Sequence, residues 1–166
     1  MQEILLLSDT HSHMGQDILK HASRVDQVWH AGDIGHASVI DKLKEVNPHV
    51  FAVYGNIDGH QIRAEHPEHW KTSIEGQKIW MTHIGGYPNR YSPLVKNEIY
   101  KNPPDLFICG HSHILKVMPD KQLKLLHMNP GAIGISGFHK KRTMLKFKIS
   151  QEGFSDLFVI EYDRKK

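Results

Sequence analysis

Two histidines one residue apart follow a short apolar run, where Leu106-Phe107-Ile108-Cys109 leads into Gly110-His111-Ser112-His113. A glycine at that junction lets the backbone turn and come close to another group. The two imidazoles then leave the strand end together. The pair alone is weak evidence. With 14 histidines in 166 residues, chance placement yields about one His-x-His, the usual false-positive level of a short motif. The chain holds two, His11/His13 and His111/His113. What raises the second above chance is its company: five apolar runs in all end in donor residues, at Asp9-Thr10-His11, Asp33, Asn56, His83 and His111-Ser112-His113.

Seven candidate ligands result: Asp9, His11, Asp33, Asn56, His83, His111 and His113. Oxygen and nitrogen donors without sulfur suit divalent ions, with manganese the expected ion and iron, nickel, zinc, cobalt and magnesium as alternatives. One catalytic ion usually takes about three protein ligands plus water. Seven suit two ions if one carboxylate is shared. Two divalent ions, two aspartates and a bridging hydroxide sum to about one positive charge, which attracts an anionic phosphoryl group. Such a pair clamps attacking and leaving oxygens for in-line displacement and lowers the pKa of bound water toward ~7.

The elements that must carry these residues can be read in order. Ile4–Leu7 is a continuous apolar run, as in a strand covered on both faces. Helical spacing follows over Gln16–Ala22, then a strand over Gln27–Ala31, an amphipathic helix over Ala37–Val46 and a strand over Val50–Tyr54. This β-α-β-α-β opening predicts a mainly parallel sheet, whose working residues collect beyond the carboxyl ends of its strands. Residues 59–70 read as irregular. A hairpin joins Thr72–Glu75 to Lys78–Met81 through Gly76-Gln77, a short helix covers Leu94–Tyr100, and Leu106–Cys109 is a strand. From Ile114 onward, runs at Leu115–Met118, Leu123–His127, Thr143–Ile149 and Phe154–Tyr162, interrupted by a turn at Asn129-Pro130-Gly131, predict a second, largely antiparallel sheet packed on the first.

Composition bounds the rest. No repeat or linker interrupts the chain, so residues 1–166 read as a single domain. A net charge of +3 is too mild to imply nucleic acid, and Lys140-Lys141-Arg142 and Arg164-Lys165-Lys166 read as a solvated turn and tail. One cysteine rules out an internal disulfide, and Cys109 reads as a small buried hydrophobe. Without a basic leader or an apolar stretch near the ~20 residues that span a bilayer, a cytoplasmic location with no membrane contact is expected. A homo-oligomer is left open.

Each candidate has a plainer role to set beside the ligand one. Aspartates commonly cap strand ends, and Gly55-Asn56 alone is an ordinary turn. His13, His30 and His36 lie off the motif and read as supporting or surface groups, His139 as an ordinary one. Trp29, Trp70 and Trp80 read as packing. Tyr87, Asn89 and Arg90, on a Gly/Pro-rich loop after His83, are candidates for a cleft wall.

Asp-x-His, Gly-Asp, Gly-Asn-x-Asp, a lone histidine after a strand and Gly-His-x-His, in that order from about Leu6 to Gly131, resemble the calcineurin-like metallophosphoesterases. The short chain and Asn129-Pro130-Gly131 resemble their small YfcE-type phosphodiesterase branch, to which a retromer scaffold subunit is also related. The resemblance implies a four-layer αββα sandwich of two mixed sheets flanked by helices. It puts Asp9, His11, Asp33 and His113 on one ion, and Asp33, Asn56, His83 and His111 on a second, with Asp33 bridging. Asn56, Asp58 and His83 are the candidate catalytic residues. One departure stands out: many relatives carry a histidine where this chain has Ile57, so no strong general acid is expected. The implied activity is metal-dependent hydrolysis of a small phosphate ester, most simply a phosphodiester. The alternative is a non-catalytic scaffold of the same fold.

Overall fold

Ile4, Leu5, Leu6 and Leu7 are all fully buried, which a run without polar alternation requires. The computed structural model describes residues 1–164. Lys165 and Lys166 of the basic tail lie outside the described residues. The first strand, β1 (Gln2–Leu7), is followed by α1 (Gln16–Ala22), β2 (Gln27–His30), α2 (Ser38–Val46) and β3 (Val50–Ala52). Next come α3 (His60–Glu65), β4 (His69–Ile74), β5 (Gln77–Thr82), β6 (Gly86–Tyr87), β7 (Arg90–Tyr91), α4 (Pro93–Lys101) and β8 (Leu106–Ile108). The chain finishes with β9 (Leu115–Asp120), β10 (Leu125–Pro130), β11 (Lys141–Ser150) and β12 (Gly153–Asp163).

Two five-stranded sheets form, in the orders β12-β11-β1-β2-β3 and β4-β5-β8-β10-β9, and both are mixed. Period-two alternation decides what each strand buries. Ile4 and Leu6 of β1 join Trp29, Met81, Ile108, Leu145 and Phe147 in the core between the sheets. Leu5 and Leu7 point the other way, onto Ile18 of α1 and Val39 and Leu43 of α2. On the far side, α4 sets Val95 and Ile99 against Trp80 and Phe107. The layers are therefore helix, sheet, sheet, helix. Trp29 meets Trp70 and Phe147 edge-on between the sheets, in the geometry that aromatic quadrupoles favour.

Four expectations need correction. The second sheet is not largely antiparallel, since β5, β8 and β10 run parallel and the carboxy-terminal hairpin joins the first sheet through β1. Alternation marks a strand but does not choose its neighbour. Residues 59–70 are not irregular: they contain α3 and the start of β4. Ile62 is the only buried residue of α3, so no apolar stripe announced it. The hairpin turns at Glu75-Gly76, both at positive φ, with Ile74 opposite Gln77. Finally, β10 begins at Leu125 because Asp120 Oδ1 accepts from the amides of Gln122 and Leu123, folding those residues into the loop.

The three parallel strands of each sheet deliver their carboxyl ends to one rim. Asp9 and His11 follow β1, Asp33 follows β2, Asn56 follows β3, His83 follows β5, and His111 and His113 follow β8.

Candidate metal centre

Six of the seven donors fall into two groups, each with ligand atoms within 4.8 Å of one another: Asp9, His11 and His113, and Asp33, His83 and His111. The Asp33 carboxylate lies between them. Its Oδ2 is 3.5 Å from His11 Nε2 and its Oδ1 is 3.2 Å from His83 Nε2. Asn56 Oδ1 completes the second group, 3.1 Å from His83 Nε2 and 2.9 Å from His111 Nδ1. In the first group His113 Nε2 is 3.2 Å from Asp9 Oδ1.

Whether a cation fits can be judged from the unpaired atoms. Asp9 Oδ1 and His11 Nε2 are buried without a hydrogen-bond partner, a state that costs roughly 1–3 kcal/mol for each such group. Both belong to the first group. A divalent ion bound there would satisfy them, and the sulfur-free donor set suits it.

The backbone around the donors is unusual. Asp9, His11, Asp33, His111 and His113 all adopt positive φ, between 44 and 72°. Non-glycine residues rarely sit there, and such conformations collect at functional sites. Cross-links between loops hold them. The amides of Asp9 and His11 donate to Gly32 and Asp33 carbonyls, and the Gly110 amide donates to the His83 carbonyl. Asp9 Oδ2 accepts from Ser8 Oγ at 2.6 Å and from the His111 amide at 3.1 Å. Asp33 Oδ1 accepts from the Ile57 amide. Gly110 and Gly55 are close-approach positions: a Cβ would overlap Ser8 Oγ at the first and Asp33 Oδ1 at the second.

Ring orientation follows from the same logic, in which the nitrogen away from a metal donates to a fixed acceptor. His83 Nδ1 donates to the Ala31 carbonyl at 2.7 Å, leaving Nε2 toward Asp33. His139 Nε2 donates to the Gly134 carbonyl at 2.8 Å, so its Nδ1 can accept from His113 Nδ1 at 3.2 Å. That frees His113 Nε2 to face Asp9.

Electrostatics agree with a cation nest. Burial alone would raise the Asp9 carboxyl, but the neighbouring His11, His113 and His83 imidazoles and the Ser8 hydrogen bond hold it far below its ordinary value. Asp33 is likewise opposed by burial yet lowered, chiefly by His83. The nearby Asp9 carboxylate raises His11, and Asp33 and Asp9 raise His83 against its burial. Both carboxylates stay ionised and aim at positive charge.

Asp58 stands apart from the donors. Its carboxylate accepts from the amides of Ile34, Gly35 and Gly55, so it ties the β2 and β3 loops together. Tyr87 does not line the cleft itself but donates to Ser112 Oγ, between His111 and His113. Four other residues shape the centre, of which only His30 reads from the sequence as a supporting or surface group. Asn129, near the end of a sixth parallel strand, donates to the Gly110 carbonyl at 2.9 Å and to Ser112 Oγ at 3.2 Å. Asn-Pro-Gly reads as a turn and as a mark of the YfcE-type branch, but Asn129 and Pro130 lie within β10, paired with Lys116 and Leu115 of β9. Arg63 donates to the Asp58, Gly55 and Asn56 carbonyls. Buried His30 accepts from the Gly32 amide through Nδ1, so its Nε2 donates to Thr10 Oγ1. The fourth is His139, which no spacing marked.

A two-sheet sandwich that gathers carboxylate, amide and imidazole donors at its strand ends defines a class of metal-dependent hydrolases. The profile of the calcineurin-like phosphoesterase superfamily domain matches residues 2–152, and the chain belongs to that family. Phosphodiesterase MJ0936 of Methanocaldococcus jannaschii is 26% identical over 147 residues, covering 78% of this chain and 82% of that protein. A solved archaeal phosphodiesterase superposes with a TM-score of 0.73 at 24% identity, covering 95% of this chain and 99% of that one. Wild-type Vps29 of Entamoeba histolytica, complexed with Zn2+, superposes with a TM-score of 0.74 at 16% identity, covering 98% and 99%.

Proposed function

We propose that this phosphoesterase is a phosphodiesterase for small phosphate esters, working through two divalent ions, with manganese the first to test. The observation that carries the reading is the Asp33 carboxylate, which turns one oxygen to each donor group. Asp9, His11, Asp33 and His113 would hold one ion, and Asp33, Asn56, His83 and His111 the other. Bound there, such a pair supplies electrostatic stabilisation of the phosphoryl oxygens and an acidified water.

The chain's own residues set the remainder of the chemistry. Water oxygen, having lost a proton to solvent, bonds to phosphorus opposite the leaving oxygen as the phosphorus–leaving-oxygen bond breaks. A phosphoryl group held at this centre would meet Asn56 as an oxygen donor, with His83 Nε2 3.1 Å from Asn56 Oδ1. The leaving oxygen finds no donor at Ile57, and Asp58 is occupied by three amides; it departs as an anion and takes its proton from solvent. We assign Asp58 a positioning role.

Among the described residues no helix is long and apolar enough to cross a membrane. A reducing, cytoplasmic setting accords with the buried Cys109, whose thiol burial pushes up to about 12. The test is turnover of bis(p-nitrophenyl) phosphate by chelator-treated protein, before and after adding Mn2+, Zn2+ or Mg2+. Activity is expected to vanish and then return. Full activity in the metal-free protein would refute the reading, and negligible turnover with every ion would favour the scaffold alternative.

A further inference from the structure

The cleft over the donors has two unlike sides. It is a cavity of about 480 Å³ whose floor is His11, Asp33, Asn56, His111 and His113 and whose wall carries Ile57, Ile114 and Phe138. The wall residues are exposed, Phe138 fully so and Ile114 to 60%. Scattered apolar residues on a surface need no explanation, but a cluster of them bordering a polar site marks a binding surface. Among the described residues no lysine or arginine lines this cavity, and the nearby Arg164 guanidinium is engaged by the Gly137 carbonyl.

The wall is also fastened to the centre. The Ile57 amide donates to Asp33 Oδ1 at 3.1 Å. The Ile114 amide donates to Ser112 Oγ at 3.2 Å, between the two histidines of the β8 loop. Phe138 sits between Gly137, where a Cβ would strike the His113 ring, and His139, which bonds that ring. Fixing the donors therefore fixes the backbone that carries the wall relative to them. A ligand filling the cleft must be anionic at one end and apolar beside it, a combination typical of small-molecule sites.

We infer that the specificity of this centre is for phosphodiesters bearing an apolar, planar ester arm, held against Phe138 with Ile114 and Ile57 at its edges. The inference rests on the phosphodiesterase reading and narrows it. Phe138 lies apart in sequence from Tyr87, Asn89 and Arg90, the residues that the sequence nominates for a cleft wall.

A p-nitrophenyl diester series tests it, with the leaving group constant and the second ester methyl, phenyl or 2-naphthyl. Values of kcat/KM for the Mn2+-loaded protein are divided by the uncatalysed rates to remove intrinsic reactivity. The normalised value should rise about tenfold or more from methyl to naphthyl, the gain from burying roughly two methylenes' worth of apolar surface. Binding without turnover gives a second readout: 2-naphthyl methylphosphonate should bind about tenfold more tightly than methyl methylphosphonate by calorimetry. The F138A/I114A variant, altered only at exposed side chains, should compress both ratios toward one. A flat wild-type series, or a ratio the double variant leaves intact, would overturn the inference and point to a protein partner on this wall. Metal-dependent turnover of the methyl ester would still uphold the underlying reading in that case, whereas its absence across the whole series would overturn both.

Discussion

Ile57 and His139 are the two residues at which this chain departs most from what a bare ligand list describes. Ile57 gives its amide to Asp33 and its side chain to the cleft, so it supports the centre without donating a proton. Turnover should then depend steeply on leaving-group acidity, with aryl esters far ahead of alkyl ones at the chemical step. A series of diesters measured under single-turnover conditions checks this, and a slope near zero would contradict it. His139 holds the His113 ring through a single 3.2 Å contact between their Nδ1 atoms. Losing such an outer partner typically weakens metal binding about 10–100-fold, and that is the effect expected of His139→Ala by equilibrium dialysis. Unchanged affinity would show that His113 needs no such support.

At the scale of elements, the turns after β2 and β3 carry the tightest constraint. Gly55 lies so close to Asp33 that an added methyl group overlaps both its carboxylate and its backbone nitrogen. Gly55→Ala should therefore lower metal affinity by at least about a hundredfold, beyond the loss typical of an outer partner, while circular dichroism stays close to wild type. Much of this layer was legible beforehand. The apolar runs ending in donors gave five of the six strands of the two parallel sets, all but β10, because a strand buried on both faces leaves an unbroken hydrophobic signature. The α3 helix left none, having one buried residue in Ile62. Nor could alternation in Thr143–Ile149 reveal that β11 adds to β1, since pairing partners are chosen in three dimensions. The seven donors were all named from spelling and order, and the fold brings six of them into two compact groups with Asn56 beside the second. Asn129 and His139 escaped because their work is done through contacts 19 and 26 residues away, which no local pattern encodes.

The whole molecule carries a pH signature of its own. Burial depresses the His30 and His127 imidazoles to about 3 and about 4. Between the ordinary imidazole value of ~6.5 and those folded values, the unfolded chain binds protons that the folded chain refuses, so stability falls as pH falls through that window. Both aspartates of the centre stay ionised across it, and His11 and His83, with raised values, are charged in both states there. Metal-free protein should thus lose on the order of a few kcal/mol between about pH 6.5 and 4.5, read by urea denaturation, and His127→Gln should lessen the slope; a flat profile would contradict this. The account depends most on the pairing of ions at the strand-end rim, and anomalous diffraction from crystals grown with Mn2+ tests that directly. It should show two peaks, one enclosed by Asp9, His11, Asp33 and His113 and the other by Asp33, Asn56, His83 and His111. A single peak that leaves one donor group bare, or density only elsewhere on the molecule, would contradict it.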